Sequence, residues 1–92
     1  MPDIDVRATG PHEYAVVVDA GRERTRHTVR VPQRLLAELG LTEAAEAALV
    51  RESFAFLLER EPASAILREF ELDVIARYFP EYPGEIGARL TG

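Results

Sequence analysis

The run from Thr42 to Glu61 constrains the fold more than any other part of the sequence, because it favours helix throughout and is bounded at both ends. Thr42 is a residue type that caps helix N-termini, and Glu43 and Glu46 place negative charge where the helix dipole is positive. The interior contains neither Gly nor Pro. Pro62 ends the run, since the residue before a proline avoids helical backbone angles. The sequence therefore predicts a central helix over residues 42–61.

This predicted helix carries apolar side chains on two sides. A helix at the surface needs only one apolar face. Two faces predict that a sheet covers one side and that other helices or a second subunit cover the other. We interpret the phenylalanines as core residues, because aromatic rings contribute strongly to core packing. The first face comprises Ala47, Val50, Phe54, Leu57 and Leu58, the second comprises Ala45, Leu49 and Phe56, and Glu52 and Glu59 mark a polar strip between them.

The first third of the chain predicts three β-strands. Residues 3–8 alternate between polar and apolar side chains, which is the period of a half-buried strand, and Ile4, Val6 and Ala8 are the inward positions. Two further strands are predicted over residues 14–19 and 25–31, and short turns join all three into an antiparallel meander. In the third strand Thr25, His27, Val29 and Val31 share the inward face, and Arg24, Arg26, Thr28 and Arg30 share the other.

The rest of the chain predicts short helices around the central one. Residues 32–39 form the first, which Gly40 ends. Ser64 and Asp73 can cap helices over residues 64–70 and 74–79, whereas Tyr82-Pro83-Gly84 reads as a turn before a last helical turn at 85–90. We therefore expect one α+β domain over residues 1–92: a three-stranded antiparallel β-meander (1–31) packed against a central long helix, with a short preceding helix and short C-terminal helices (32–92).

Composition restricts the classes of function. The 92 residues include no cysteine, which excludes disulfides and thiolate chemistry, and the formal net charge is −5. Residues 1–34 hold six arginines and five acidic residues, whereas residues 35–92 hold five arginines and eleven acidic residues. Acidity disfavours non-specific nucleic-acid binding. The sequence shows no signal peptide and no membrane-spanning run, so we expect a cytoplasmic protein that does not bind a membrane.

No catalytic or metal-binding pattern stands out. His12 and His27 are the only histidines, and they lack a ligand-spaced partner. We expect His27 to be a half-buried imidazole with satisfied hydrogen bonds. Ser53 and Ser64 have no neighbouring base in sequence, and no glycine-rich phosphate-binding motif is present. We therefore expect no enzyme activity, no catalytic residues, no metal and no cofactor.

The outward face of the third strand supports one functional alternative. An arginine-rich strand followed by proline and two helices resembles the ribbon-helix-helix DNA-binding module, over residues 24–60. In that family a dimer places a two-stranded ribbon in the major groove, where arginine can read guanine. The resemblance implies a DNA-binding regulator, although two strands precede the candidate ribbon and the second half of the chain is acidic. The implied nucleic-acid contacts are Arg24, Arg26, Thr28 and Arg30.

A second resemblance covers residues 25–86. The runs SFAFLLEREP (53–62), AIL (65–67), LDVIARYFPEY (72–82) and the strand end HTVRVP (27–32) are similar to a group of short bacterial proteins of uncharacterised function. That group implies no activity and no site residues. We favour a non-catalytic protein-interaction module whose partner is an unknown protein or a second copy of the chain, the latter bound through the second helix face or a sheet edge. The candidate interface is an amphipathic patch of the kind enriched at interfaces, namely Arg77, Tyr78, Phe79, Glu81 and Tyr82.

Overall fold

The structure is a computed structural model that describes residues 3–91, with side chains described for residues 3–90. It confirms the α+β class. The strands are β1 (Asp3–Gly10), β2 (Glu13–Asp19), β3 (Arg24–Arg30) and β4 (Glu69–Glu71). The helices are α1 (Gln33–Leu39), α2 (Glu46–Leu58), α3 (Ile75–Tyr78) and α4 (Tyr82–Thr91). Short 3-10 turns occupy Glu43–Ala45, Ala63–Ala65 and Leu72–Val74.

The first three strands form the predicted antiparallel meander. Asp3 lies opposite Asp19 in the β1–β2 pair, and Asp19 lies opposite Arg24 in the β2–β3 pair. The predicted inward face of the third strand is confirmed, since His27, Val29 and Val31 are buried and Thr25 is half-buried. Ala8 was expected to point into the core but is exposed, beside a register shift at the end of β1.

The predicted helix over residues 64–70 is wrong. The chain makes a 3-10 turn at Ala63–Ala65 and then adds β4 to the sheet, parallel to β3, in the order β1-β2-β3-β4. Glu69 lies beside Thr28, and Glu71 lies beside Arg30. The sheet is therefore mixed and four-stranded, and residues 32–92 are not wholly helical. A short helix is only marginally stable by itself, whereas residues 69–71 gain backbone hydrogen bonds by pairing with the open edge of β3, so a strand forms there.

The first helix matches its prediction. α1 spans Gln33–Leu39, and Gly40 follows in the left-handed conformation with φ of 69°. That conformation is open to glycine without a Cβ penalty. α2 begins later than predicted, at Glu46, after the 3-10 turn, and the side chain of Thr42 makes no capping hydrogen bond.

α2 is covered on both sides, as its two apolar faces predict. On one side the Phe54 ring packs against His27 of β3 and Phe70 of β4, at centroid distances of 5.1 and 6.0 Å. On the other side the Phe56 ring meets Tyr82 and Phe79. Leu49, Phe54 and Phe56 have no exposed surface, although Ala47, assigned to the first face, is exposed. The second face is filled from within the chain, so it offers no surface to a second subunit.

The C-terminal segment differs from its prediction in one important respect. Residues 82–84, expected to form a turn, are the first turn of α4. Proline fits there because the first N–H groups of a helix have no intrahelical partner. Tyr82 and Ile86 on this helix are completely buried. α4 thereby closes the side of α2 that the sheet leaves open.

Candidate functional site

An apolar groove opens on the surface where the C-terminal end of α2, the chain leading into β4, and α3 meet. Its volume is about 390 Å³. Leu67 and Tyr78 lie on its rim with exposed fractions of 50% and 69%, and they are the only large hydrophobic side chains so exposed within residues 3–90. Isolated exposed apolar residues are ordinary, but these two line one groove, which makes it the candidate binding surface. The lining residues are Leu57, Glu61, Ala65, Ile66, Leu67, Phe70, Val74, Ile75, Tyr78 and Phe79.

Only part of the predicted interface patch lies at the groove. Tyr78 and Phe79 both line the groove, and Arg77 is exposed beside them on α3. Glu81 is exposed, and its carboxylate lies 3.6 Å from the Nε of Arg60. Tyr82 has no exposed surface, so its ring supports the groove region from the core and does not face a partner.

The two aromatic residues of the groove, Phe79 and Tyr78, differ in how many contacts hold their rings in place. The Phe79 ring stands edge-on to Phe56 at a centroid distance of 5.9 Å, and the guanidinium of Arg60 lies 3.6 Å from the Phe56 centroid. This stack fixes the wall of the groove. Tyr78 makes no hydrogen bond or ring contact with any described residue, so its ring is available to a ligand.

Sequence reasoning missed Leu67, Phe70 and Val74 as groove residues. Leu67 and Phe70 lie within the predicted helix over residues 64–70, which does not form. The available signal was the polar–apolar–polar run Glu69-Phe70-Glu71, which has the period of a strand. Three residues are too few for that signal to be decisive.

The arginine-rich strand already has partner strands on both sides within the chain, although β4 covers only residues 28–30 of it. β3 is hydrogen-bonded to β2 on one side and to β4 on the other. Asp19 lies opposite Arg24, and Glu13 lies opposite Arg30, whose Nε is 3.3 Å from the Glu13 carboxylate. Thr28 is half-buried between neighbouring strands. The four predicted nucleic-acid contacts therefore do not form one free basic face.

Arg24 and Arg26 instead line a second cleft, of about 520 Å³, beside the first half of β3. The cleft exists because β4 pairs only with residues 28–30 and leaves the preceding edge of β3 uncovered. Across the cleft lie the 3-10 turn at residues 63–65 and Arg68. The lining residues are Arg24, Thr25, Arg26, His27, Ala63, Ser64, Ile66 and Arg68.

His27 lines this cleft and has satisfied hydrogen bonds, as expected, but it is buried with an exposed fraction of 3% and is not half-buried. Its Nδ1 lies 2.7 Å from the carbonyl oxygen of Leu67, and its Nε2 lies 2.8 Å from the Thr25 hydroxyl. Burial lowers the pKa of His27, and the nearby Arg68 acts in the same direction, although the bond to the Leu67 carbonyl opposes them. The imidazole thus joins β3 to the chain entering β4, and neither ring nitrogen faces a carboxylate.

A separate polar cluster surrounds the buried carboxylate of Glu46, at the start of α2. The Tyr14 hydroxyl donates to Glu46 Oε1 at 3.0 Å, and His12 Nδ1 lies 2.6 Å from Oε2. Burial, reinforced by the bond to Glu46, raises the pKa of Tyr14 to about 12. His12 occupies the left-handed region with φ of 57°, and its Nε2 lies 2.7 Å from the Gln33 amide nitrogen. The cluster ties the sheet to α1 and α2, and its polar atoms are engaged in internal bonds.

Two features that often mark a reactive site, a candidate metal cluster and an unpaired buried polar atom, are absent from the described part of the chain. Within residues 3–91 no group of three His, Cys, Asp or Glu side chains is placed to hold a metal ion. Every fully buried side-chain nitrogen and oxygen that the structure describes has a hydrogen-bond partner. No helix within the described residues has the length and apolar character needed to cross a membrane. The chain matches no family model, and searches of curated proteins and of solved structures also found no match.

Proposed function

We propose that this protein is a non-catalytic protein-interaction module whose apolar groove receives hydrophobic side chains of a partner protein. The observation that carries the proposal is the exposure of both Leu67 and Tyr78 at one groove of about 390 Å³. A groove of this size accommodates one or two large side chains.

The groove has the physical character of an interface centre. Its walls are held by packed core residues, such as Ile75 and Phe79, so little ordering is needed when a ligand binds. Tyrosine offers a large contact area with few rotatable bonds, which suits it to the centre of an interface. Glu61 is the single charged residue in the lining. It favours a partner segment in which a basic residue accompanies the apolar anchor.

The proposed role is compatible with the rest of the molecule. The absence of cysteine fits the cytoplasmic location that we predict. The ribbon-helix-helix alternative receives no support from the geometry, because β3 is an interior strand and Arg30 is paired with Glu13.

Selection from a displayed peptide library tests the proposal. We expect enriched peptides to share a large apolar residue and to bind at least tenfold more weakly to Leu67→Ser and Tyr78→Ser. These positions are exposed, so both variants should fold. Ala48→Ser is the matched control, because Ala48 is exposed near the opposite end of α2. Failure to enrich any peptide, or equal binding to all three variants, would contradict a role for the groove.

Sedimentation of the free protein identifies the partner class. A dimer that Tyr78→Ser dissociates would make a second copy of the chain the occupant of the groove. A monomer at every concentration would exclude self-association and leave a different protein as the partner.

A further inference from the structure

The arginine-lined cleft beside β3 carries an inference independent of the groove. Most arginines elsewhere in the described chain are neutralised locally. Arg7, Arg30, Arg34, Arg60 and Arg89 each form an ion pair with a carboxylate. Six arginines form no ion pair and no side-chain hydrogen bond with a described residue, and three of them, Arg24, Arg26 and Arg68, line this one cleft.

We propose that this cleft binds a small ligand that carries a phosphate group. Arginine presents a rigid fork of N–H donors that matches phosphate oxygens, and three guanidinium groups provide more charge than a single carboxylate would neutralise. The lining contains no acidic residue, and the Ser64 hydroxyl adds another donor at the same surface. The volume of about 520 Å³ lies within the range of small-molecule sites.

The fold explains why these cations come together. Arg24 and Arg26 are two residues apart on β3 and share one face of the sheet. Arg68 precedes β4, and its carbonyl oxygen accepts a hydrogen bond from the Thr28 amide at 2.7 Å. This bond brings Arg68 alongside β3 next to the uncovered edge. Glu23, on the turn before β3, accepts a hydrogen bond from the Ser64 amide at 2.9 Å, and this bond joins the turn to the far wall of the cleft.

A small ligand fits the charge distribution better than a nucleic acid does. The protein carries a net charge of −5, which repels a long polyanion at distances where a local cluster has little effect. Acidic residues also flank the arginine positions on the exposed face of the sheet, with Asp19 on β2 and Glu69 on β4. A compact anion contacts the three cleft arginines without lying over Asp19 or Glu69.

Titration of the isotope-labelled protein with sodium pyrophosphate, followed by backbone amide shifts, tests the proposal. We expect saturable shifts at residues 24–27 and at Ser64, and weaker binding by inorganic phosphate and by acetate. Arg26→Gln and Arg68→Gln should each weaken pyrophosphate binding at least tenfold. Arg51→Gln is the control, because Arg51 is exposed on α2 and forms no ion pair within the described residues. Tyr78→Ser should leave pyrophosphate binding unchanged, which separates this site from the groove.

Three results would overturn the proposal. The first is the absence of saturable shifts with pyrophosphate at millimolar concentration. The second is binding that Arg51→Gln weakens as much as Arg26→Gln does, which would indicate diffuse attraction. The third is a DNA duplex that binds more tightly than pyrophosphate in the same buffer and loses affinity in Arg30→Gln, because Arg30 lies outside the cleft.

Discussion

The hydroxyl groups of Ser53 and Tyr82 lie 2.7 Å apart in the centre of the core, and neither residue has any exposed surface. Ser53 Oγ donates its single proton to the carbonyl oxygen of Leu49 at 2.6 Å. The Tyr82 hydroxyl must therefore donate to Ser53, since each hydroxyl has only one proton. This chain of bonds fixes α4 against α2 and holds the buried Tyr82 ring against Phe56.

The order of these bonds predicts unequal effects of two substitutions. Ser53→Ala leaves the buried Tyr82 hydroxyl without an acceptor, so we expect it to lower the free energy of unfolding by ~1–3 kcal/mol. Tyr82→Phe removes only a donor and should cost ~0.5–1.5 kcal/mol. The double variant should be no less stable than Ser53→Ala alone. Denaturant unfolding of the four proteins measures this, and strictly additive losses would show that the two hydroxyls do not interact.

Because α2 is covered on both sides, we expect substitutions on either of its apolar faces to cause a large loss of stability. Phe54→Ala and Phe56→Ala should each lower the free energy of unfolding by ~3–5 kcal/mol, because both rings are fully buried, one against the sheet and the other against Phe79 and α4. Thermal or denaturant melts provide the measurement. Ala48→Ser on the exposed side of α2 should change stability little. A small loss at Phe56 would mean that α4 does not cover α2.

At the N-terminal end of α2, the hydrogen bonds of the buried Glu46 carboxylate should stabilise the fold. Glu46→Ala removes the acceptor of the Tyr14 hydroxyl and the partner of His12, so we expect a loss of ~1–3 kcal/mol. Glu46→Gln keeps an acceptor oxygen and should lose less. Glu38→Ala is the matched control, because Glu38 is exposed on α1 and forms no ion pair or hydrogen bond with its side chain within the described residues. Equal stability of Glu46→Ala and Glu38→Ala would show that the cluster contributes nothing.

The lowered pKa of His27 predicts loss of stability on acidification. Its unfolded pKa is near 6.5, and burial lowers the folded value below that. The contribution is therefore complete above pH 6.5 and is lost as pH falls towards the folded pKa, because the unfolded chain binds the proton first. His27→Gln should flatten the fall in unfolding free energy between pH 7 and pH 5. Parallel pH profiles of the two proteins would contradict this.

Elements with a strong local pattern could be predicted from the sequence. The alternation in residues 3–8 predicts β1, and Gly40 marks the end of α1 because its left-handed backbone favours glycine. The position of Phe56 on a second apolar face of α2 predicts its burial. Part of the groove was also within reach, since Tyr78 and Phe79 were recognised as candidate interface residues.

Elements that depend on distant partners could not be predicted in the same way. β4 has three residues and forms because the edge of β3 is open to it. Its formation moves Leu67 to the surface and Arg68 to the cleft, neither of which has a local signal. Tyr82 followed by proline and glycine has turn chemistry, but packing of its ring on Phe56 makes it the start of α4.

The class of fold, the meander and the central position of α2 follow from local patterns in the chain, because periodicity and helix propensity act within a few neighbouring residues. The tertiary structure alone decided that Tyr78 is exposed while Tyr82 is buried, and that three arginines meet at one cleft. Both outcomes depend on which remote segment packs against a residue. Burial and charge clustering depend on the folded chain as a whole, so neither can be read from one short segment of sequence.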